Sequence, residues 1–461
     1  MNLTMQILQI ILPMRSAFVQ YRIFLKFIGA IFAILCVAGR HTITSILYFF
    51  KMEDSNWSSI YRLFSRAKWD PEICFNEVLK AALKKQLSKH KGEILFSLDD
   101  FKVEKTGKTI PGTRYMLDPK SPPFCTNLAW GHRYLHAAVT LYRKKRGRWL
   151  AAKSITVKIK LAPHIRKPGK KASEADWEIY KKEKEEHNLS EYAIQLIIEL
   201  RRLCDELGYS NRTFFVVADG GYCNKTILRK CPKGVELILR CRKDAKLCEK
   251  STDTRKFYDS NKFTPHEIYK DSTLPKKVGC FFYGRDTRRI SYKQKLNVYW
   301  QTGAQKRPLR CVIVHGVPYR KKKSGYTTYR EPMYLLSTDL NSDVRTLVQF
   351  YFYRWEIEVI HRELKNDLGI GQPQVWNETS VERCPKLIAL ANSIIHLACF
   401  TLGEKDDTAY LKAPKWYTTR TRISLEYLRR RLREEVVNSD ILDEIIAVKL
   451  SWKDMIDRIA A

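Results

Sequence analysis

The run Thr213–Asp219 (TFFVVAD) constrains the fold of this chain more than any other stretch. Nothing polar lies between its two ends, so a strand built from it is apolar on both faces. Such a strand is stable where helices cover both sides of a sheet that contains parallel strands. The segments around it agree with an α/β chain. A helical pattern over Ser190–Leu207 ends at Gly208 just before it, and a second apolar strand, Val235–Cys241, follows. Upstream, EILFSLDD (Glu93–Asp100) reads as a short apolar strand ending in two aspartates. Tyr134–Tyr142 and Trp149–Ile159 read as a hairpin turned by RKKRGR, Arg143–Arg148. The order is three strands, helix, strand, helix, strand.

Five regions follow from texture. Residues 1–90 read as helical, 91–241 as the first part of an α/β core, and 242–332 as a β-rich insertion with Lys/Arg-rich turns. Residues 333–403 return to the core, and 404–461 form a basic helical C-terminal region. Residues 23–39 are apolar, but Lys26 interrupts them and the uncharged run Phe27–Gly39 is shorter than the ~20 residues of a membrane span. A buried helix is expected there, with no membrane role. Arg40, His41, Arg62, Arg66 and Lys68 surround two short helices. They suit either a helix-turn-helix DNA reader or a helical cap with a solvated basic surface.

Charge narrows the partners. The chain has 461 residues, with 83 Lys+Arg against 49 Asp+Glu, a formal net charge of +34. The basic residues are spread along the chain and the aromatic content is 12%, which excludes a disordered basic arm. A folded protein this basic repels itself unless a polyanion is near, which points to nucleic acid. The 12 cysteines contain no C-x2-C pair. They read as reduced, mostly buried thiols of a cytosolic protein, not as a zinc site.

The chemistry concentrates in YFYRWEIEVIHRELKNDLGIGQP. Tyr351, Arg354, Glu358 and Lys365 are spaced Y-x2-R-x3-E-x6-K, which on one continuous helix puts them within roughly a 60° arc. Arg362 lies at the edge of that arc, and Tyr353, Ile357, Ile360, Leu364 and Leu368 form an apolar face. Asp219 ends its buried strand before Gly220-Gly221-Tyr222, where open sheets gather ligands and glycines permit close approach. Asp99 and Asp100 end the first strand. If that strand lies beside Thr213–Asp219, an aspartate from each and Glu358 converge as hard oxygen ligands. Two Mg²⁺ ions, for which Mn²⁺ substitutes, would then clamp a phosphoryl displacement.

These residues resemble a known family. The chain is similar to DDE transposases of the bacterial insertion-sequence-four type, whose YREK signature reads here as Tyr351, Arg354, Glu358 and Lys365. The family's Asp-x-Gly-Tyr/Phe matches Asp219, Gly221 and Tyr222. Its first aspartate is often followed by Asp-Thr or Gly-Thr, whereas this chain has Asp99-Asp100-Phe101. Asp99 is preferred as the ligand and Asp100 is the alternative. The resemblance implies a ribonuclease-H-like mixed sheet with a β-rich insertion before the glutamate helix. It implies catalytic metal ligands at Asp99, Asp219 and Glu358. Tyr351, Arg354 and Lys365, with Arg362 beside them, would grip DNA phosphates. A tryptophan of the insertion stacks on a flipped base in several relatives; Trp300 is the candidate here, a core tryptophan being the other reading. The implied protein cuts double-stranded DNA at terminal inverted repeats and joins the ends to target DNA. It would act as a dimer, near the nucleoid of a bacterial cytoplasm, with no small-molecule substrate. The alternatives are an inactive DNA-binding relative and a nuclease on the same fold without strand transfer.

Overall fold

The computed structural model describes residues 2–49, 56–87, 92–118, 121–122, 124–125, 127–145, 148–165, 167–283, 286–320, 326–403 and 423–437. Helices α1 (Leu3–Ile11), α2 (Tyr21–Cys36), α3 (Ile43–Phe49), α4 (Ser58–Ser65) and α5 (Pro71–Leu87) come first. Strands β1 (Ile94–Glu104), β2 (Arg114–Leu117), β3 (Leu128–Lys145) and β4 (Arg148–Leu161) follow, then α6 (Glu174–Glu186) and α7 (Leu189–Glu206). Next are β5 (Phe214–Ala218), α8 (Lys225–Lys230), β6 (Val235–Arg240), β7 (Leu247–Lys250), β8 (Tyr258–Phe263) and α9 (Pro265–Lys270). Five more strands lead to the last helices: β9 (Lys277–Tyr283), β10 (Asp286–Val298), β11 (Leu309–Val314), β12 (Pro318–Arg320) and β13 (Thr327–Tyr329). After β14 (Met333–Ser337) come α10 (Val344–Tyr353), α11 (Trp355–Arg362), α12 (Glu378–Leu402) and α13 (Leu425–Val437).

One mixed sheet of ten strands organises the molecule, in the order β2-β3-β1-β5-β6-β14-β11-β10-β9, with β4 also on β3. Strand β5 is central and every residue of it is buried, as its composition requires. It pairs in parallel with β1 and with β6, while β1 pairs antiparallel with β3. The expected β-rich segment divides in three, one part being the short β12–β13 ribbon. Its strands β9, β10 and β11 extend the main sheet through β14, and β7–β8 form a separate ribbon.

The first helices share the core with the sheet. Phe27–Cys36 of α2 are buried, in keeping with the apolar run. Helix α12 is long and apolar enough to cross a membrane, yet 83% of its most apolar window is buried inside the protein. Inside it, the Ser393 hydroxyl donates to the Thr156 carbonyl at 2.9 Å. The basic helix α13 closes over the N-terminal region. Glu435 accepts from the backbone N–H groups of Leu3 and Thr4 at the start of α1. Arg429 is buried and donates to the Leu35 and Val37 carbonyls at the end of α2, and to Asp367. His41, one of the cations around the expected helix-turn-helix, is buried against Arg429 and does not face solvent. The link between α3 and α4, residues 50–55, lies outside the described residues.

Candidate active site

Strand register gives the two adjacent aspartates different surroundings. Leu98 of β1 pairs with Ala218 of β5 in parallel, so Asp99 and Asp219 follow at the same level on neighbouring strands. Partners in parallel strands share a face, and successive residues alternate faces. Asp99 therefore points to the side of Asp219, and Asp100 points to the other. The contacts agree. Asp100 accepts two hydrogen bonds from Arg133, at 2.6 and 2.9 Å, and one from the Tyr222 hydroxyl at 3.0 Å. Asp99 instead meets Arg354, whose Nη1 donates to Oδ2 at 3.1 Å. Its other oxygen, Oδ1, accepts from the Asp100 backbone N–H at 2.8 Å. Burial pushes the Asp99 carboxyl up to about 7, against the pull of Arg354.

The expected single helix through the signature is broken twice, which corrects its assumed common face. At Arg354 the chain tightens: its N–H bonds to the Tyr351 carbonyl at 3.2 Å, and its carbonyl accepts from Ile357 at 3.0 Å. Further on, Glu363–Asp367 form a π turn, with Leu368 N–H on the Glu363 carbonyl at 3.0 Å. Each break shifts the phase of the helix, so constant 100° steps misplace the side chains. Tyr351 lies in the core with Val217 and Phe350 and braces Arg354, whose guanidinium carbon is 5.7 Å from its ring. Arg354 itself is turned inward and bridges Asp99 to Glu358, its Nη2 donating to Glu358 Oε1 at 3.0 Å. Neither Tyr351 nor Arg354 faces solvent in this arrangement, so neither is presented to a phosphate.

The exposed residues of this segment are Trp355, Arg362, Lys365 and Asn366, with Glu358 half-buried among them. Trp355 was not singled out by the spacing argument, although it stands between Arg354 and Glu356; it is 55% exposed. Trp300 has a different setting. It is half-buried against the core, and a Cβ on Gly303 would come within 2.2 Å of its ring, so the glycine is what lets this turn close over the indole. The structure does not bring Trp300 together with the three acids through any described contact. Phe101 packs 4.5 Å from the His361 ring and lies 5.6 Å below the Lys365 ammonium.

A buried polar layer holds this segment from beneath. His136, the register partner of Asp99, shares a 2.9 Å hydrogen bond with His361 and a 2.8 Å one with Thr156. Within the π turn, Glu363 accepts from Lys153 at 2.6 Å, from His396 at 3.0 Å and from Asn392 at 3.2 Å. Burial lowers the imidazoles of His136 to about 3 and of His41 and His132 to about 4, against an ordinary 6.5. Folded, they stay neutral where the unfolded chain takes up protons. The unfolded state thus binds more protons as the pH falls, and stability is lost from 6.5 downward. Urea midpoints are expected to drop steadily from about pH 7 to about pH 4, with a shallower drop in His132→Gln. A level or rising midpoint over that range contradicts this account.

The donor set of Asp99, Asp219 and Glu358 is all-oxygen, which suits a hard divalent cation. As the side chains stand, no group of three His, Cys, Asp or Glu among the described residues is gathered closely enough to hold one. The guanidinium of Arg354 lies between two of the three.

Two family models match the chain. The family model described as DDE superfamily endonuclease matches residues 29–262, just over half of the chain. The family model described as transposase DDE domain matches residues 184–375. The two matches together span β1, β5 and the segment carrying Glu358. No match was found among curated proteins.

Proposed function

We propose, from the premise that this chain belongs to the DDE superfamily of endonucleases, that it is a transposase of the insertion-sequence-four type. It would cut DNA at the inverted repeats bordering its element and join the 3′ ends to target DNA. One observation carries the reading: the parallel pairing of β1 with β5 ends at Leu98 and Ala218, so Asp99, within the longer β1, and Asp219, just past β5, follow at one level, and Arg354 ties Glu358 to Asp99. Asp99, Asp219 and Glu358 would hold two Mg²⁺ or Mn²⁺ ions, which supply activation of a water or 3′-hydroxyl and neutralise the leaving oxygen. Asp100 is committed to Arg133 and Tyr222 and would position β1.

The exposed residues around Glu358 suit a phosphate backbone entering from solvent. Arg362 and Lys365 supply cations at the mouth of the site, and Phe101 supports Lys365 from below. Trp355 offers a flat face for an unpaired base and replaces Trp300 as the stacking candidate. Dimerisation on DNA, and action in a bacterial cytoplasm, belong to the same proposal. Replacing Arg362 or Lys365 by alanine is expected to weaken DNA binding across sequences and to reduce the salt slope by about one unit each. A slope unchanged in both variants contradicts their placement on the backbone.

The test uses the inverted-repeat DNA found at the borders of the gene. With Mg²⁺, the protein is expected to cleave it, and with pre-cleaved ends to yield joined product. Cleavage without joining supports a nuclease on this fold. Absence of both, with binding retained, supports an inactive relative.

A further inference from the structure

Resting on the reading of Asp99, Asp219 and Glu358 as metal ligands, we propose that Arg354 is an internal counter-cation that competes with divalent metal for these carboxylates. The site would then have an arginine-bridged form and a metal-bearing form, and DNA would favour the second by drawing Arg354 onto a phosphate.

The argument starts from lone pairs. Asp99 Oδ1 already accepts from the Asp100 N–H at 2.8 Å, and Oδ2 is the oxygen that Arg354 Nη1 holds at 3.1 Å. Glu358 offers Oε1, and Arg354 Nη2 holds that at 3.0 Å. One guanidinium therefore takes an oxygen from two of the three acids. Its side chain is 11% exposed, so these ion pairs are poorly screened. Nε is buried with no hydrogen-bond partner, so the head group is held by its Nη contacts, with the Tyr351 side chain and the Asp219 carboxylate also acting on it. Arg354 also stands at the tightened joint between α10 and α11, where the backbone is not held by a continuous ladder.

A phosphate group presents two oxygens to the fork of Arg354 and so accepts both Nη donors on one group, which lets it take over from two separated carboxylates. Linkage then makes the coupling reciprocal: whatever draws Arg354 away raises metal affinity, and metal binding releases Arg354 toward DNA. In this way DNA-free protein keeps its acids neutralised without assembling a reactive centre.

The experiment measures Mn²⁺ binding to the full chain without DNA, by calorimetry and by the loss of the free-ion electron paramagnetic resonance signal. Wild type, Arg354→Gln, Arg354→Lys and Asp219→Asn are compared, together with the Arg354→Gln/Asp219→Asn pair, with circular dichroism as the folding control. Arg354→Gln is expected to bind Mn²⁺ on the order of tenfold more tightly than wild type. Arg354→Lys, which keeps a charge but cannot bridge, is expected to show a smaller gain. Unchanged or weaker binding in both Arg354 variants, with Asp219→Asn still weakening it, overturns the competition and leaves the metal site standing. No effect of Asp219→Asn in either background means that Mn²⁺ sits elsewhere, and the carboxylate reading falls with the inference.

Discussion

Glu358→Gln is expected to slow metal-dependent cleavage of terminal-repeat DNA by about 10³-fold or more, because a lost ligand removes several kcal/mol of transition-state stabilisation. The fold is not expected to suffer. Glu358 is half-buried on the exposed side of its segment, while Ile357 and Ile360 beside it carry the packing. The amide keeps the shape and one acceptor for Arg354, so the thermal midpoint should stay near that of wild type. Cleavage at the wild-type rate by a folded Glu358→Gln protein would remove this residue from the chemistry. Asp219→Asn is expected to behave in the same way.

The second large effect concerns stability. Glu363→Gln is expected to destabilise the protein by about 3–5 kcal/mol, because it leaves the Lys153 ammonium buried without its counter-charge. The side chains are 16% and 7% exposed and the N–O distance is 2.6 Å. Burial alone would raise the Glu363 carboxyl, but the cation of Lys153 and the N–H of His396 outweigh it and hold it well below the ordinary range. His396 is itself kept neutral by burial and by Lys153, so it serves as a donor while Lys153 supplies the charge. A depressed carboxylate stabilises the fold above its unfolded pKa, and that stability drains away as pH falls toward the folded value. The acid-side loss of stability below about pH 4 should accordingly be shallower in Glu363→Gln. Adding Lys153→Met is expected to recover much of the loss, since it removes the stranded charge. A urea midpoint unchanged in the single variant contradicts this assignment.

Much of the sheet around the candidate site was legible in the sequence because it rests on short-range rules. The apolar run Phe214–Ala218 has no stable home other than a covered central strand, and it takes that place. Alternation along β1, once pairing was known, sends Asp99 and Asp100 to opposite faces. Pairing itself is a long-range property, so their different surroundings are not legible from the sequence alone. The helix phase was misread for a local reason that leaves little trace in composition: a tightened joint at Arg354 and a π turn at Glu363–Asp367. Those two breaks turn Tyr351 into the core, Arg354 onto the acids and Trp355 outward. The layer of His136, His361, Glu363, Lys153 and His396 joins β3, β4, α11 and α12. Its members are scattered along the sequence, and no spacing announces them.

The central claim, that Asp99 and Asp219 with Glu358 hold catalytic metal, is tested most directly by changing ligand softness. A thiolate is a poor ligand for Mg²⁺ and a better one for Mn²⁺. Cleavage of terminal-repeat DNA would be compared in the two metals for Asp99→Cys, Asp100→Cys and Asp219→Cys. The account predicts that Asp99→Cys and Asp219→Cys are inactive with Mg²⁺ and regain cleavage with Mn²⁺, while Asp100→Cys shows no such metal switch. A switch at Asp100 but not at Asp99, or undiminished Mg²⁺ activity in Asp219→Cys, would contradict it.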